Sequence, residues 1–202
     1  MTRPLFHILK DRRAASAAEF AMVLPLLILL LFGIIDVGRF FYELNENEKA
    51  TQMGARMAVV TNPVSTGLVQ ASFIAGTVKS GDLVPSTALG TVTCTNISCT
   101  CAGTCPGGFS TALNAAAFTN IVTRMQRMNP LIQPANVEIL YSGSGFGYAG
   151  PADTDMDIEP LVTVRLKNMQ FSPIALLNFA GWNLPAASAT LTAEDSSGTV
   201  SN

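Results

Sequence analysis

The sequence predicts an α+β protein: a long N-terminal transmembrane helix continuing outside the membrane, then a small exported domain with a second helix and an antiparallel sheet. Three observations predict it. Phe20 to Ile35 (FAMVLPLLILLLFGII) is an uncharged apolar run. Helix-forming residues then continue without proline from Val37 to Val60. Late in the chain one more helical stretch is followed by consecutive strand-like runs, the order expected of an α+β fold.

The apolar run spans about 24 Å as a helix, against a hydrocarbon core of about 30 Å. Ala14–Ala18 before it and Val37–Gly38 after it supply the missing length. That places Glu19 and Asp36 near the two interfaces, where a carboxylate costs far less than at the bilayer centre. Lys10, Arg12 and Arg13 immediately precede the span and predict a cytoplasmic N-terminus. A cleaved secretory signal is the competing reading. The following residues, Asp36-Val-Gly-Arg-Phe-Phe-Tyr, offer no small-x-small cleavage site.

Beyond the span, Val37, Phe40, Phe41 and Leu44 recur at helical spacing, with Arg39, Glu43, Glu46 and Lys49 on other faces. Ala50, Gly54 and Ala58 then form a smooth stripe that admits a close backbone neighbour, either a partner helix or the protein's own domain. Asn62-Pro63 ends the helix. One continuous helix of roughly 45 residues results, about 68 Å long.

Residues 61–110 are rich in Thr, Ser, Gly and Pro and predict loop, with short strands at most around Leu68–Val78 and Gly90–Cys94. Thr111–Met128 reads as the second helix, with Leu113, Ala116/Ala117, Ile121 and Met125/Met128 on one face and Asn129-Pro130 as its stop. Asn136–Tyr141, Leu161–Leu166 and the weaker Ala187–Thr192 read as strands, the first two joined by the Gly-rich stretch Ser142–Pro151. The predicted divisions are a cytoplasmic leader over 1–14, a transmembrane helix over 15–38, its extramembrane continuation over 39–60, and an exported α+β domain over 61–202 with a Cys-rich loop at 94–105.

Composition and motifs narrow the function. Arg3, Lys10, Arg12 and Arg13 are four of the 12 basic residues, which leaves the remainder of the chain acidic and unsuited to binding nucleic acid. Cys94, Cys99, Cys101 and Cys105 lack the C-x2-C spacing of a zinc knuckle and have no nearby His. An exported location and an even count favour two disulfides among three pairings, with Cys99–Cys101 disfavoured by its tiny loop. Asp153, Asp155, Asp157 and Glu159 alternate like the opening of a calcium loop. Ile158 and Val164 occupy the required Gly and Glu positions, which excludes an EF-hand and leaves an irregular site or a solvated acidic loop. Asn96-Ile97-Ser98 is a formal glycosylation triplet. The one His, His7, lies in the leader, and no catalytic motif, metal site or cofactor motif is found, so no enzyme activity and no small-molecule substrate are expected.

The stretch Arg12-Arg-Ala-Ala-Ser-Ala-Ala-Glu-Phe-Ala-Met-Val-Leu-Pro, followed by Asp36-Val-Gly-Arg-Phe and Gly54-Ala-Arg56, resembles the TadE-like family, minor pseudopilins of the tight-adherence (Flp) pilus. The resemblance covers roughly Ala14–Val60 and extends to the remainder only in general layout. It implies a pseudopilin-like fold in a bacterial inner membrane, with membrane lipid, other pilins or pseudopilins, the pilus assembly platform and a prepilin peptidase as partners. It also implies a cut between Ala14 and Ala15, ahead of Glu19 and Phe20, although Ala14 stands where the family's pattern has Gly. Glu19 would then meet a new α-amino group and set register during assembly; a Glu that snorkels or caps the helix dipole is the alternative. Pro25 either bends the span or helps it melt and repack in a filament, and Gly54 joins Glu19 and Pro25 as a candidate helix-assembly residue. The competing function is a signal-anchored extracytoplasmic ligand-binding or adhesion protein in which the helix is only a tether.

Overall fold

A computed structural model of the chain describes residues 12–107, 109–151, 156–174, 181–193 and 196–199, with backbone alone for 12–15. The leader ahead of Arg12 and the acidic residues Asp153 and Asp155 lie outside the described residues. Helix α1 is a single element of 49 residues, Arg12–Val60, with Pro25 inside it. Its end agrees with the stop at Asn62-Pro63, and Thr61 Oγ1 donates to the Met57 carbonyl at 2.7 Å across the last turn. Residues from Ser16 on are long and apolar enough to cross a membrane; the most apolar window has a mean hydropathy of 2.7.

The chain divides into two compact units. The first contains α1 as far as Glu43 together with the segment Phe171–Trp182. The expected apolar face at Val37 and Phe41 is exposed here, whereas Asp36 is buried and Arg39, Phe40 and Glu43 are half-buried. The reason is polar. Segment 171–174 presents backbone groups to the helix, and the Asp36 carboxylate and the Arg39 guanidinium pair with them.

The second unit contains Leu44–Gln170 and Asn183–Asn202. Its elements after α1 are α2 (Thr66–Val69), β1 (Thr91–Cys94), β2 (Cys99–Ala102), α3 (Ala115–Gln126), β3 (Val137–Ser142), β4 (Leu161–Leu166) and β7 (Ala187–Thr192). The separate two-stranded ribbon of β5 (Gln170–Phe171) and β6 (Trp182–Asn183) is not wholly in this unit, since its Phe171 and Trp182 belong to the first. The main sheet is antiparallel in the order β2-β1-β3-β4-β7. Register aligns Cys94, Ile139, Val164 and Ala189 in one row and Val92, Tyr141, Val162 and Leu191 in the next on the same face. Apart from Ala189 and the exposed Leu191 at the β7 end, these residues are buried with Ala50, Ala55 and Ala58 of α1 and Phe118, Ile121 and Met125 of α3. Asn114 caps α3 by accepting from the Ala117 N–H at 3.1 Å, so the helix starts at Ala115, four residues later than the Thr111 start read from the sequence.

Two expectations for residues 61–110 are corrected. Leu68–Val78 holds no strand; its start belongs to the short helix α2, where Gly67 lies against the Ser110 backbone so closely that a Cβ would meet its carbonyl oxygen at 2.2 Å. The Cys-rich stretch is not a loop but mostly a β-hairpin, with Thr91 paired to Ala102 and Cys94 to Cys99. Its composition reads as loop because Thr is polar, yet Thr is β-branched and suits a half-buried pleated surface.

Candidate functional site

The exposed portion of α1 is the most prominent surface of the first unit. Glu19 is exposed, Phe20 is 63% exposed, and the helix passes Pro25 without interruption. Ala14 and Ala15 are helical in backbone. Gly33 has nothing within 4 Å of a Cβ built on it, and it opens a shallow apolar notch flanked by Leu26, Leu29, Leu30, Ile34 and Val37. These positions recur every three or four residues, so the notch runs along one face of the helix. Only 6% of the most apolar window is buried by the chain itself. Such a surface is stable in lipid or against other apolar helices, and not in water.

Gly54 is placed differently. A Cβ there would lie 2.9 Å from Met125 Cγ and Sδ and 3.2 Å from Val164 Cγ1. Ala50 and Ala58, one turn to either side, are also buried. The stripe Ala50–Gly54–Ala58 is therefore filled by the protein's own core, the second of the two neighbours the sequence allows it.

At the end of the apolar run, Asp36 and Arg39 hold the segment that returns to the helix. The Asp36 carboxylate accepts from the Ile174 N–H at 2.8 Å and faces Arg39 Nη1 at 3.6 Å. Arg39 Nη1 donates to the Ser172 carbonyl at 3.4 Å, and its guanidinium lies 5.5 Å from the centre of the Phe171 ring. Phe40 meets the same ring edge-on at 5.5 Å. Sequence reading placed Asp36 at an interface but missed these contacts, because no local pattern signals a partner some 138 positions away.

The cysteines pair as Cys94–Cys99 and Cys101–Cys105. The first bridge closes the hairpin at its tip and is buried, while Cys105 of the second is exposed. The tip itself presents Ile97, 81% exposed, between Asn96 and Ser98 of the glycosylation triplet. Of the acidic stretch, Asp157 accepts from the Gly150 N–H at 2.9 Å, which gives it a role in holding the Gly-rich turn. Among the described residues, no group of three or more His, Cys, Asp or Glu side chains is arranged to hold a metal ion.

One charged cluster has no counterpart in the sequence reading. Glu138 on β3 accepts from Arg165 Nε at 3.0 Å and from Arg165 Nη2 at 2.5 Å, and it pairs with Lys167 beyond the end of β4. Burial raises the Glu138 pKa, but hydrogen bonds and charge from Lys167 and Arg165 outweigh burial and hold it below the ordinary value. The cluster lies on the sheet face away from the apolar rows, alongside the Thr163–Thr190 hydroxyl pair at 2.7 Å. Arg165 lies on the adjacent strand β4 and Lys167 directly follows it, so the cluster is a cross-strand structural device.

Residues 14–56 match the model of a family described as TadE-like protein. No curated protein and no solved structure matches the chain.

Proposed function

We propose, from the premise that residues 14–56 are a TadE-like segment, that this chain is a membrane-anchored minor pseudopilin-like subunit needed for assembly of a tight-adherence (Flp, type IV-like) pilus or secretion filament. The observation that carries the reading is the coincidence of the family segment with an apolar helix that its own chain leaves uncovered. The role is structural rather than enzymatic. The protein sits in a bacterial cytoplasmic membrane with its N-terminus inside and the bulk of the chain outside. Other pilins or pseudopilins and the assembly platform are its partners through the helix, and a prepilin peptidase removes the leader between Ala14 and Ala15. Glu19 then pairs with the freed α-amino group and fixes axial register.

N-terminal sequencing of the membrane-extracted protein tests the processing step: a start at Ala15 is expected, and an intact N-terminus would demote the chain to a signal-anchored protein. Glu19→Ala tests the assembly step. It is expected to abolish or strongly reduce surface filaments while the protein still accumulates in the membrane. Normal filament numbers with that variant would leave the tethered-binder reading in its place.

A further inference from the structure

We propose that the chain makes a second contact with lipid besides its span: Ile174 and Trp182, on the segment returned to the helix, rest in the outer headgroup layer beside Phe41 and Tyr42. The inference rests on reading α1 as a bilayer-crossing helix.

Asp36 directly follows Ile35, the last residue of the uncharged run, so its level on the helix lies within about one turn of the hydrocarbon edge. The hydrogen bond from the Ile174 N–H to Asp36 fixes residue 174 at that level. The Arg39–Ser172 bond and the Phe40–Phe171 ring contact fix residues 171 and 172 about one turn further out. Gly181 lies beside the Phe171 backbone, 3.8 Å from its carbonyl oxygen to a built Cβ, which keeps the following Trp182 in the same zone. There Ile174 is 53% exposed, Trp182 51%, Phe41 56% and Tyr42 63%.

Asp36 to Tyr42 covers six residues, about 9 Å along the axis, against an interfacial layer of roughly 5–8 Å on each side of the hydrocarbon. Trp and Tyr favour this layer because the ring is apolar and its N–H or O–H stays hydrated. The sequence between Ser172 and Asn183 has no charged residue, so nothing opposes contact with lipid. Greater depth is disfavoured, since a non-helical backbone in hydrocarbon leaves polar groups unpartnered. Depth and partner are thereby both specified: headgroup-level lipid.

Trp182 is the chain's one tryptophan, which makes the test direct. The full chain is reconstituted in phosphatidylethanolamine–phosphatidylglycerol vesicles carrying bromine either near the headgroup end or near the methyl end of the acyl chains. Shallow bromine is expected to reduce Trp182 emission about twofold or more, deep bromine less, and aqueous iodide is expected to quench less than for free tryptophan. Emission insensitive to both brominated lipids overturns the inference, whether iodide reaches the ring (water) or not (a second copy covering it). Stronger quenching by deep bromine also overturns it. A second variant, Trp182→Phe with Leu29→Trp, reports on the span and is expected to respond most to deep bromine. If that variant is quenched and Trp182 is not, the interfacial contact alone fails; if neither is quenched, the spanning helix fails with it.

Discussion

The backbone N–H of Val64 donates to the phenolic oxygen of Tyr141 at 2.9 Å, with both residues fully buried. The bond joins the chain just after α1 to the central strand β3 and settles where the polypeptide leaves the helix. Tyr141→Phe keeps the ring and strands the Val64 N–H, so a loss of about 1–3 kcal/mol is expected. Denaturant unfolding of the full chain in detergent measures it. Burial also raises the Tyr141 pKa, so the folded state holds the proton more tightly than the unfolded one. Stability is accordingly complete below the ordinary value of 10.0 and falls as pH rises above it, and Tyr141→Phe should flatten that alkaline decline.

Glu138 predicts the opposite limb. Its pKa is lowered, so the stability it contributes is present above the ordinary value of 4.5 and is lost as pH falls through the lower folded value. Both cationic partners are more than one-third exposed, which keeps the effect on the order of 1 kcal/mol. Glu138→Gln should lower the denaturation midpoint at neutral pH and remove much of the acid-side slope. An unchanged slope would mean other carboxylates dominate.

Gly54 predicts a coupling. Ala is favoured over Gly in a helix interior by about 1 kcal/mol, but a methyl at this position collides with Met125. Gly54→Ala alone should therefore be neutral or destabilising, and Gly54→Val should cost about 1–3 kcal/mol through overpacking. In a Met125→Ala background, Gly54→Ala should become stabilising. A double-mutant cycle with zero interaction energy would contradict the packing described for this stripe.

The disulfides should open in order. Cys94 and Cys99 are buried, whereas Cys105 is exposed, so mild reduction followed by alkylation should label Cys101 and Cys105 first. Complete reduction adds four hydrogens to the intact mass. Cys94→Ser with Cys99→Ser should cost about 2 kcal/mol, the value for closing so short a loop.

The elements legible in the sequence were those with a strong local period or stop. Leu161–Leu166 and Ala187–Thr192 are delimited to the residue, and Asn62-Pro63 marks the end of the long helix, whose start at Arg12 the apolar run from Phe20 does not mark. Strand β2 was hidden because its polar Thr and small Ala mimic loop composition, and its pairing with β1 supplies what propensity does not. The face of α1 at Asp36 was misjudged for a related reason. Apolar spacing at Val37, Phe40 and Phe41 is a local signal, while the polar contacts that bury Asp36 come from residues 172–174. The Glu138 cluster needed the β3–β4 register, which pairs Glu138 with Arg165. Gly54 shows the remaining ambiguity: a small-residue stripe says that something approaches closely, and only the tertiary neighbours say what.

The end of α1 is fastened by a residue made long after it. Asn62 N–H donates to the Gly198 carbonyl at 2.8 Å, and the Gly198 N–H returns a bond of 2.9 Å to Asn62 Oδ1. The two partners are 136 positions apart. At about 5–20 residues per second, the ribosome needs roughly 7–27 s to deliver the second after the first. Met125 and Val164, the neighbours of Gly54, are made 71 and 110 positions after it, so the Ala50–Gly54–Ala58 stripe precedes its packing partners by roughly 4–22 s at the same rate. Synthesis order thus leaves the C-terminal half of the helix without its packing partners until α3 and β4 have been made.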